Sequence, residues 1–429
     1  MIKRHVERLI TGALREFPVV LLVGARQVGK TTLARAISAG PWKAEYFTLD
    51  DRSILDAALS DPDGFIRGNP PPMVIDEVQR APDLMRAVKL AVDRNRCPGM
   101  YLLTGSANPL RLRSVSETLA GRVAIFRLDT FSWAEIEERK APTSAIDALL
   151  ECDSAAELLS RLRRKEVSAR REDIERLVIS GCYPDPERMK TRAARDSWFN
   201  SYRQTYLERD VKEITSIADL PLFGRLLRVM ALRTGNLLNL MDISREVGIP
   251  YTTLRRYVGL LETTFQVEFL MPYYANIGKR LVKTPKVYFN DTGMACHLVA
   301  LTGWTALEKA GLSGRMLETW VWGEIRKTLP LLDVPAEPMF WREQHGGEVD
   351  FVLERGTRLA GIEVKSSGSV TSADLKGSES FLSAMRGRAA ITVILYQGER
   401  AFAPRELIAV VPMSLFFGAE WQAPSAGLT

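Results

Sequence analysis

Apolar runs alternate with amphipathic segments in the first third of the chain. Continuous apolar residues predict buried strands at 17–24, 73–75, 100–104 and 123–128. Runs that are apolar on both faces are typical of a parallel sheet with helices on each side. Because amphipathic stretches such as 83–95 separate these runs, the pattern predicts an α/β fold, a doubly wound parallel sheet over residues 1–140.

The spacing of apolar residues becomes helical after residue 140. Apolar positions recur near helical spacing from 145 to 176, and a further helix is expected over 192–214. These features predict a helical connector at 141–220. The stretch 161–176 is also dense in basic residues, for which a solvated helix face is preferred to nucleic-acid contact.

A different order of elements follows the connector. Helices are expected at 226–234, 242–247 and 252–263, with a turn at Gly248. The alternating stretch 266–273 then suits the wing of a winged helix. We therefore predict a winged-helix domain at 221–275.

The last part of the chain is expected to form a second α/β domain at 276–429. A helix is predicted at 315–328, and strands are predicted at 339–342, 348–354 and 360–364. Acidic residues and a lysine on these elements match the arrangement in nucleases of restriction-endonuclease type.

Composition places the chain among ordinary globular proteins. Its 429 residues are 46% apolar and 26% charged, and at about 100 to 200 residues per domain two to four domains are expected. The net charge of +6 permits nucleic-acid contact without requiring it.

Cysteine use and the N-terminus bear on the compartment. The four cysteines match no zinc spacing and no disulfide framework. The N-terminus lacks the apolar core of a signal peptide, and no apolar run approaches the roughly 18 residues of a membrane span. A cytoplasmic protein with no membrane partner is expected.

A phosphate-binding motif follows the first predicted strand directly. The pattern G-x-x-x-x-G-K-[ST] is matched at every fixed position by Gly24-Ala25-Arg26-Gln27-Val28-Gly29-Lys30-Thr31. Its glycines let backbone N–H groups point at phosphate oxygens. Lys30 is expected to reach the β- and γ-phosphates, Thr31 to bind Mg²⁺, and Thr32 to lie beside the α-phosphate. The predicted ligands are a nucleoside triphosphate and Mg²⁺.

Two carboxylates end the second predicted strand. Asp76 and Glu77 are expected at the carboxyl edge of the sheet, where ligands bind. Their order resembles a Walker B motif, in which Asp76 would hold Mg²⁺ and Glu77 would polarise the attacking water. An acidic strand-to-helix turn is the alternative.

Two further residues are candidates for the same site. Ser106 follows the third strand and is a candidate sensor of the γ-phosphate, the alternative being an ordinary loop. Arg122 precedes the next apolar run. It is a candidate arginine finger, in cis or across a subunit boundary, with a surface arginine nearly as plausible.

Basic residues of the predicted winged helix are candidate DNA contacts. They are Arg255, Arg256, Lys279, Arg280 and Lys283. Contacts of this kind to phosphates set affinity without sequence specificity. Winged helices also serve as protein-docking modules and as lids on ATPases, so the partner stays open at this stage.

Carboxylates of the C-terminal domain suggest a second metal site. Glu318 is expected on a helix, and Asp350 and Glu363 on adjacent strands. Lys365 should lie on the same strand face as Glu363, because side chains alternate with period two. Together they could bind Mg²⁺ for phosphodiester cleavage. The alternatives are a salt-bridge cluster and a domain that keeps the fold mainly to hold DNA.

Motifs along almost the entire chain resemble those of the archaeo-bacterial junction ATPases, which are AAA-superfamily proteins with a C-terminal restriction-endonuclease-like domain. The matching stretches are GARQVGKTTL at 24–33, VIDEVQ at 74–79, LTGS at 103–106, LAGR at 119–122, TYLERDV at 205–211, VYFNDTG at 287–293, EVD at 348–350 and IEVK at 362–365.

The resemblance implies binding to branched or partly melted DNA and assembly into a ring, expected to be a hexamer. It also implies ATP rather than GTP. Arg122 and Arg209 both lie in matching motifs, and we lean to Arg122 as the finger. Cys182 stands where the family typically has a second glycine before a tyrosine, which puts only that turn in question.

Three functions follow from these features. The leading one is an ATP-hydrolysing protein that grips DNA junctions. The second is an ATP-gated, structure-selective nuclease that requires Asp350 and Glu363. The third is a nucleotide-dependent switch in which the winged helix docks a protein and DNA has no part.

Overall fold

The computed structural model describes residues 2–106, 121–163, 170–206, 219–274, 284–343 and 346–421. The chain forms two compact units. The first comprises Met1–Phe131, Tyr183–Asp185 and Gly259–Gln266, and the second comprises Ser132–Cys182, Pro186–Val258 and Val267–Thr429. Each unit has a main sheet of its own.

A five-stranded parallel sheet forms the core of the first unit. Its strands are β1 (Val19–Val23), β2 (Glu45–Thr48), β3 (Met73–Asp76), β4 (Tyr101–Gly105) and β5 (Val123–Arg127). They lie in the order β2-β3-β4-β1-β5, and every neighbouring pair is parallel. The predicted parallel sheet is confirmed. The segments that follow β1, β3 and β4 therefore meet at one edge of the sheet, where ligands bind in folds of this type.

The helices of this unit precede or connect its parallel strands. They are α1 (Glu7–Ala13), α2 (Lys30–Ser38), α3 (Arg52–Ser60), α4 (Pro62–Gly68) and α5 (Leu84–Arg94). Helix α5 lies within the predicted segment 83–95. It buries Leu84, Val88 and Val92, which recur every four residues and so share one face.

Helices predominate from residue 133 to residue 205, which spans the end of the predicted first domain and most of the predicted connector. They are α6 (Trp133–Ile136), α7 (Thr143–Glu151), α8 (Ala155–Arg161), α9 (Arg171–Ser180), α10 (Pro184–Arg188) and α11 (Arg192–Thr205). A short strand, β6 (Leu162–Arg163), pairs with β16 (Glu420–Trp421).

In the described ranges, no helix combines the length and the apolar character needed to cross a membrane.

Three helices and three short strands alternate in the next stretch. In chain order they are α12 (Leu220–Leu232), β7 (Asn236–Leu237), α13 (Leu240–Val247), α14 (Tyr251–Thr263), β8 (Val267–Leu270) and β9 (Lys286–Phe289). The strands form an antiparallel sheet in the order β7-β9-β8. The middle strand β9 therefore lies beyond the boundary at 275 that the sequence suggested.

A six-stranded mixed sheet is the core of the C-terminal stretch. Its strands are β10 (Glu337–Arg342), β11 (Glu348–Arg355), β12 (Arg358–Lys365), β13 (Ala389–Tyr396), β14 (Phe402–Arg405) and β15 (Ile408–Pro412), in the order β10-β11-β12-β13-β15-β14. Strands β12, β13 and β15 are parallel, while β10, β11 and β14 run antiparallel to their neighbours. The associated helices are α15 (Thr292–Leu298), α16 (Trp304–Lys309), α17 (Ser313–Thr328), α18 (Lys376–Ala384) and α19 (Met413–Gly418).

Candidate active site

The phosphate-binding loop connects the end of β1 to the start of α2. Gly24 has a φ angle of 153°, and a Cβ atom there would lie 2.1 Å from the carbonyl oxygen of Leu128. Gly29, which caps α2, has a φ angle of 95°. Residues with side chains rarely adopt either backbone conformation, so both positions need glycine.

The ammonium of Lys30 lies within this loop. Lys30 is only 4% exposed, and its Nζ atom donates hydrogen bonds to the carbonyl oxygens of Gly24 and Ala25, both at 2.9 Å. The two carbonyl groups hold the cation at the curled backbone that would receive phosphate. The role of Lys30 at the β- and γ-phosphates stays a prediction.

Asp76, at the end of β3, accepts three hydrogen bonds from side chains. The hydroxyl groups of Thr31, at 2.9 Å, and of Tyr46, at 2.6 Å, donate hydrogen bonds to its carboxylate. The hydroxyl of Thr104 donates the third. Burial, reinforced by Asp76, raises the pKa of Tyr46 to about 12, so this hydroxyl stays a donor at neutral pH. Thr31 and Asp76 thus bring hard oxygen atoms together, which is the donor set that Mg²⁺ prefers.

Glu77 follows Asp76 in a conformation that is unusual for a side-chain-bearing residue. Its φ and ψ angles are 59° and 43°, in the left-handed region. Its backbone N–H donates to Oγ1 of Thr104 at 3.2 Å. The side-chain amide of Gln79 donates both to the Glu77 carboxylate and to the Ser106 hydroxyl, the latter at 3.0 Å. Gln79 therefore joins the predicted base to the predicted sensor.

Sheet order explains why these residues meet. Strand β4 lies between β1 and β3, so Ser106, directly after β4, lies between the phosphate loop and the pair Asp76 and Glu77. The structure therefore brings Lys30, Thr31 and these three residues to one edge of the sheet.

Arg122 lies at the opposite edge of the same sheet. It precedes β5, and its carbonyl oxygen accepts from the N–H of Val19 at the start of β1. The phosphate loop follows the other end of β1, about 15 Å away at 3.3 Å per residue. The guanidinium of Arg122 instead pairs with Asp93 at 2.6 Å. Within one chain Arg122 therefore lies far from the phosphate loop, and the role across a subunit boundary stays a prediction beside the alternative of a surface arginine. Arg209 lies outside the described residues.

Several residues that support the site were not singled out from the sequence. Tyr46, Thr104 and Gln79 contact the predicted carboxylates directly. Arg4 donates hydrogen bonds from Nη1 to the carbonyl oxygen of Val28 at 2.8 Å and from Nη2 to that of Asp129 at 2.5 Å. It therefore connects the phosphate loop to the segment that follows β5. Only Gln79 carries a local signal, since it stands two residues after Glu77.

The predicted second metal site is occupied by a lysine. The Nζ atom of Lys286, on β9, lies 2.9 Å from Glu318, 2.6 Å from Glu348 and 3.2 Å from Asp350. Burial lowers the pKa of this ammonium, but its anionic surroundings outweigh burial and raise the pKa above the ordinary lysine value. The cation therefore persists at neutral pH.

Glu363 has partners of its own. As predicted, it lies beside Asp350 on the neighbouring strand and on the same face as Lys365, whose Nζ atom is 2.7 Å away. The hydroxyl of Ser378 also donates to it at 3.2 Å.

The metal site predicted from Glu318, Asp350 and Glu363 is therefore corrected. Among the described residues, no group of three or more His, Cys, Asp or Glu side chains could hold a metal ion. The reason is physical: the ammonium groups of Lys286 and Lys365 already pair with these carboxylates. The arrangement is the salt-bridge cluster that the sequence left as an alternative.

The candidate DNA contacts divide into two groups. Arg255 and Arg256 lie on α14 with both side chains exposed, while Leu254, Tyr257 and Val258 of the same helix are buried. This is the orientation that the helical pattern predicts. Lys279, Arg280 and Lys283 lie outside the described residues.

Three protein-family matches divide the chain. Residues 16–137 match the family described as AAA domain, and residues 171–306 and 313–416 match two families described as domains of unknown function (DUF8612 and DUF4143). The uncharacterized protein Mb2031c of Mycobacterium bovis is 30% identical over 412 residues, which cover 96% of this chain and 83% of the relative. The uncharacterized protein Rv2008c of Mycobacterium tuberculosis matches equally well.

The chain belongs to the family of these mycobacterial proteins. Its AAA match and the geometry around Lys30 and Asp76 together make the first part an AAA-type P-loop ATPase domain. Among solved structures, the chain is similar to the Walker-type ATPase of Pyrococcus abyssi, at 15% sequence identity and a TM-score of 0.42. The match covers 70% of this chain and 96% of that structure. AMPPCP-bound DnaA from Aquifex aeolicus matches at 14% identity and a TM-score of 0.30, over 72% and 96%.

Proposed function

We propose that this protein hydrolyses ATP and uses the cycle to act on branched or partly melted DNA, assembled as an oligomeric ring, expected to be a hexamer. The observation that carries the hydrolytic part is the meeting of Lys30, Thr31, Asp76, Glu77 and Ser106 at one edge of the parallel sheet. Phosphoryl transfer needs positioning and charge neutralisation above all, and these residues supply both.

Each residue has a distinct task in this proposal. Lys30 moves from the loop carbonyls to the β- and γ-phosphates of ATP. Thr31 and Asp76 would hold Mg²⁺, which would supply positive charge beside the phosphates. Glu77 orients the attacking water and accepts its proton, while Gln79 fixes that carboxylate relative to Ser106.

Two observations support DNA as the partner. The order of elements from α12 to β9, and the sheet order β7-β9-β8, agree with a winged helix. Arg255 and Arg256 extend from α14 of this module with exposed guanidinium groups, which suit phosphate contacts. A nuclease is not favoured, because Lys286 lies among the carboxylates that would bind the metal.

ATP hydrolysis in the presence of different DNAs tests the proposal. The wild type, Lys30→Ala and the exposed control Lys43→Ala are compared without DNA, with linear duplex, and with a forked or four-way junction. Junction-stimulated hydrolysis that is abolished only in Lys30→Ala is expected. Hydrolysis that depends on Lys30 but ignores every DNA would overturn the DNA part and favour a protein-docking switch.

The DNA contacts are tested separately by the salt dependence of junction binding. Arg255→Ala combined with Arg256→Ala should weaken binding and reduce the slope of log Kobs against log salt by about 1 for each phosphate that the variant no longer neutralises. The exposed Arg52→Ala provides a control that removes charge elsewhere. An unchanged slope in the double variant would exclude α14 as the DNA-binding helix.

A further inference from the structure

An open groove of about 1280 Å³ lies in the second unit at the carboxyl ends of parallel strands. The segments after β12 and β13 and the start of α19 line it, and the beginning of α9 borders it. In open α/β sheets this edge is where ligands bind, because loops diverge there and leave a crevice. All the residues that line the groove belong to the second unit, whereas the predicted ATP site belongs to the first.

Gln397 lines this groove and has unmet hydrogen-bonding capacity. It is 6% exposed, and its backbone N–H donates to the carbonyl oxygen of Ser367. Its side-chain amide is buried, and neither the nitrogen nor the oxygen has a partner in the described part of the chain. A buried amide without partners costs free energy. A ligand edge that offers a donor beside an acceptor would satisfy both atoms, as a nucleobase edge does.

An aromatic side chain lies on the same groove. Phe402, at the start of β14, is 41% exposed although it is large and apolar. Exposed aromatic rings of this kind are platforms on which bases stack. The loop between Gln397 and Phe402 is fixed by Tyr396, whose hydroxyl donates to the carbonyl oxygen of Arg400 at 2.6 Å and accepts from its N–H at 3.1 Å.

Charged groups complete the groove. Arg170 and Arg400 are exposed, and neither guanidinium has an acidic partner among the residues that the structure describes, whereas Arg171 pairs with Glu175 at 2.5 Å. Guanidinium groups suit phosphate oxygens. Glu172 and Glu399 also line the groove. They limit its net positive charge and so favour a ligand with few phosphates. A carboxylate can also accept a hydrogen bond from a ribose hydroxyl.

We propose that this groove binds a nucleotide unit. The base lies against Phe402 and bonds to the Gln397 amide, and the phosphate is held at the arginine-bearing rim. The unit belongs either to a free mononucleotide or to a single nucleic-acid strand. Arg170 comes from the basic stretch 161–176, so part of that stretch has a binding role rather than forming only a solvated face.

Direct binding to the full chain tests this proposal. The probes are a fluorescent AMP analogue, which lacks the β- and γ-phosphates that Lys30 would hold, and a labelled single-stranded DNA hexanucleotide of adenines. Gln397→Leu and Phe402→Ala should each weaken binding at least tenfold. Gln397→Leu removes an unpaired polar group, so its melting temperature should not fall, and weakened binding cannot then be ascribed to unfolding.

Controls and probes separate the outcomes. Arg400→Ala should weaken binding, whereas Arg52→Ala, which removes an exposed arginine of the first unit, should not. Tight AMP binding identifies a free nucleotide as the ligand, and binding of the hexanucleotide alone identifies a strand. Lys43→Ala, at an exposed lysine of the first unit, should likewise leave both affinities unchanged. Equal affinities in the wild type, Gln397→Leu and Phe402→Ala, or no binding of either probe, would overturn the proposal.

Discussion

The ammonium of Lys286 lies 2.9 Å from the carboxylate of Glu318. The two residues are 32 positions apart, on a strand of the three-stranded sheet and on helix α17. The lysine side chain is 3% exposed and the glutamate side chain 14%, so neither charge is well screened by water. The charge state of each therefore depends chiefly on the groups around it.

Loss of the Lys286 charge should destabilise the second unit strongly. Lys286→Met leaves Glu318, Glu348 and Asp350 without their shared cation, and breaking a buried ion pair in this way costs about 3–5 kcal/mol. Urea unfolding measures the change in the free energy of unfolding, with the exposed Lys309→Met as the matched control. A loss below about 1 kcal/mol would contradict the proposed role of the cation.

Stability should depend on pH through Glu318. Burial, with a further contribution from Asp350, raises the pKa of Glu318 from 4.5 to about 7. The folded protein thus holds a proton that the unfolded chain releases, so this contribution is greatest below pH 4.5 and is lost as the pH rises through 7. A shift of this size corresponds to about 3 kcal/mol at most.

The variant Glu318→Gln isolates that effect. Unfolding free energies of the wild type and the variant are compared from pH 5 to pH 8. The wild type should lose stability relative to Glu318→Gln across this range. Parallel curves would show that another group carries the pH dependence.

Gln79 should act on turnover rather than on ATP affinity. Gln79→Ala frees the Glu77 carboxylate from its amide partner, so the carboxylate is held less well against the attacking water. We expect kcat to fall about tenfold, because small misplacements of a catalytic group are costly, and KM to stay within twofold. Steady-state hydrolysis measures both constants, and a rise in KM at constant kcat would assign Gln79 to nucleotide binding instead.

Arg122 can be tested by mixing two inactive proteins. Lys30→Ala lacks the phosphate lysine, and Arg122→Ala lacks the proposed finger in trans. If Arg122 completes a neighbour's site, mixed oligomers contain some sites with both residues, and ATP hydrolysis should partly return on mixing. Full activity of Arg122→Ala alone would exclude a role for this arginine in hydrolysis.

Local patterns in the sequence were enough to predict the nucleotide site. The phosphate loop, Asp76 and Ser106 each follow an apolar run, and parallel strands necessarily bring such ends together. The position of Arg122 was also available from the sequence, because a residue before a parallel strand lies at the opposite edge. That inference was missed.

Contacts between distant residues could not be predicted in the same way. Tyr46 lies 30 positions from Asp76, and Thr104 lies 28 positions from it, with no spacing that links them. Lys286 is 64 positions from Asp350. Strand alternation correctly paired Glu363 with Lys365, but it gave no sign that a second lysine from β9 would enter the cluster and exclude a metal.

The backbone conformation of Glu77 sets the stability of the protein against its proposed activity. A left-handed conformation in a residue with a side chain costs about 1–3 kcal/mol, and Glu77 adopts one with φ at 59°. Glycine would relieve that cost while removing the proposed base. A screen that selects thermostable variants of this protein would therefore enrich Glu77→Gly and collect proteins that bind ATP but do not turn it over.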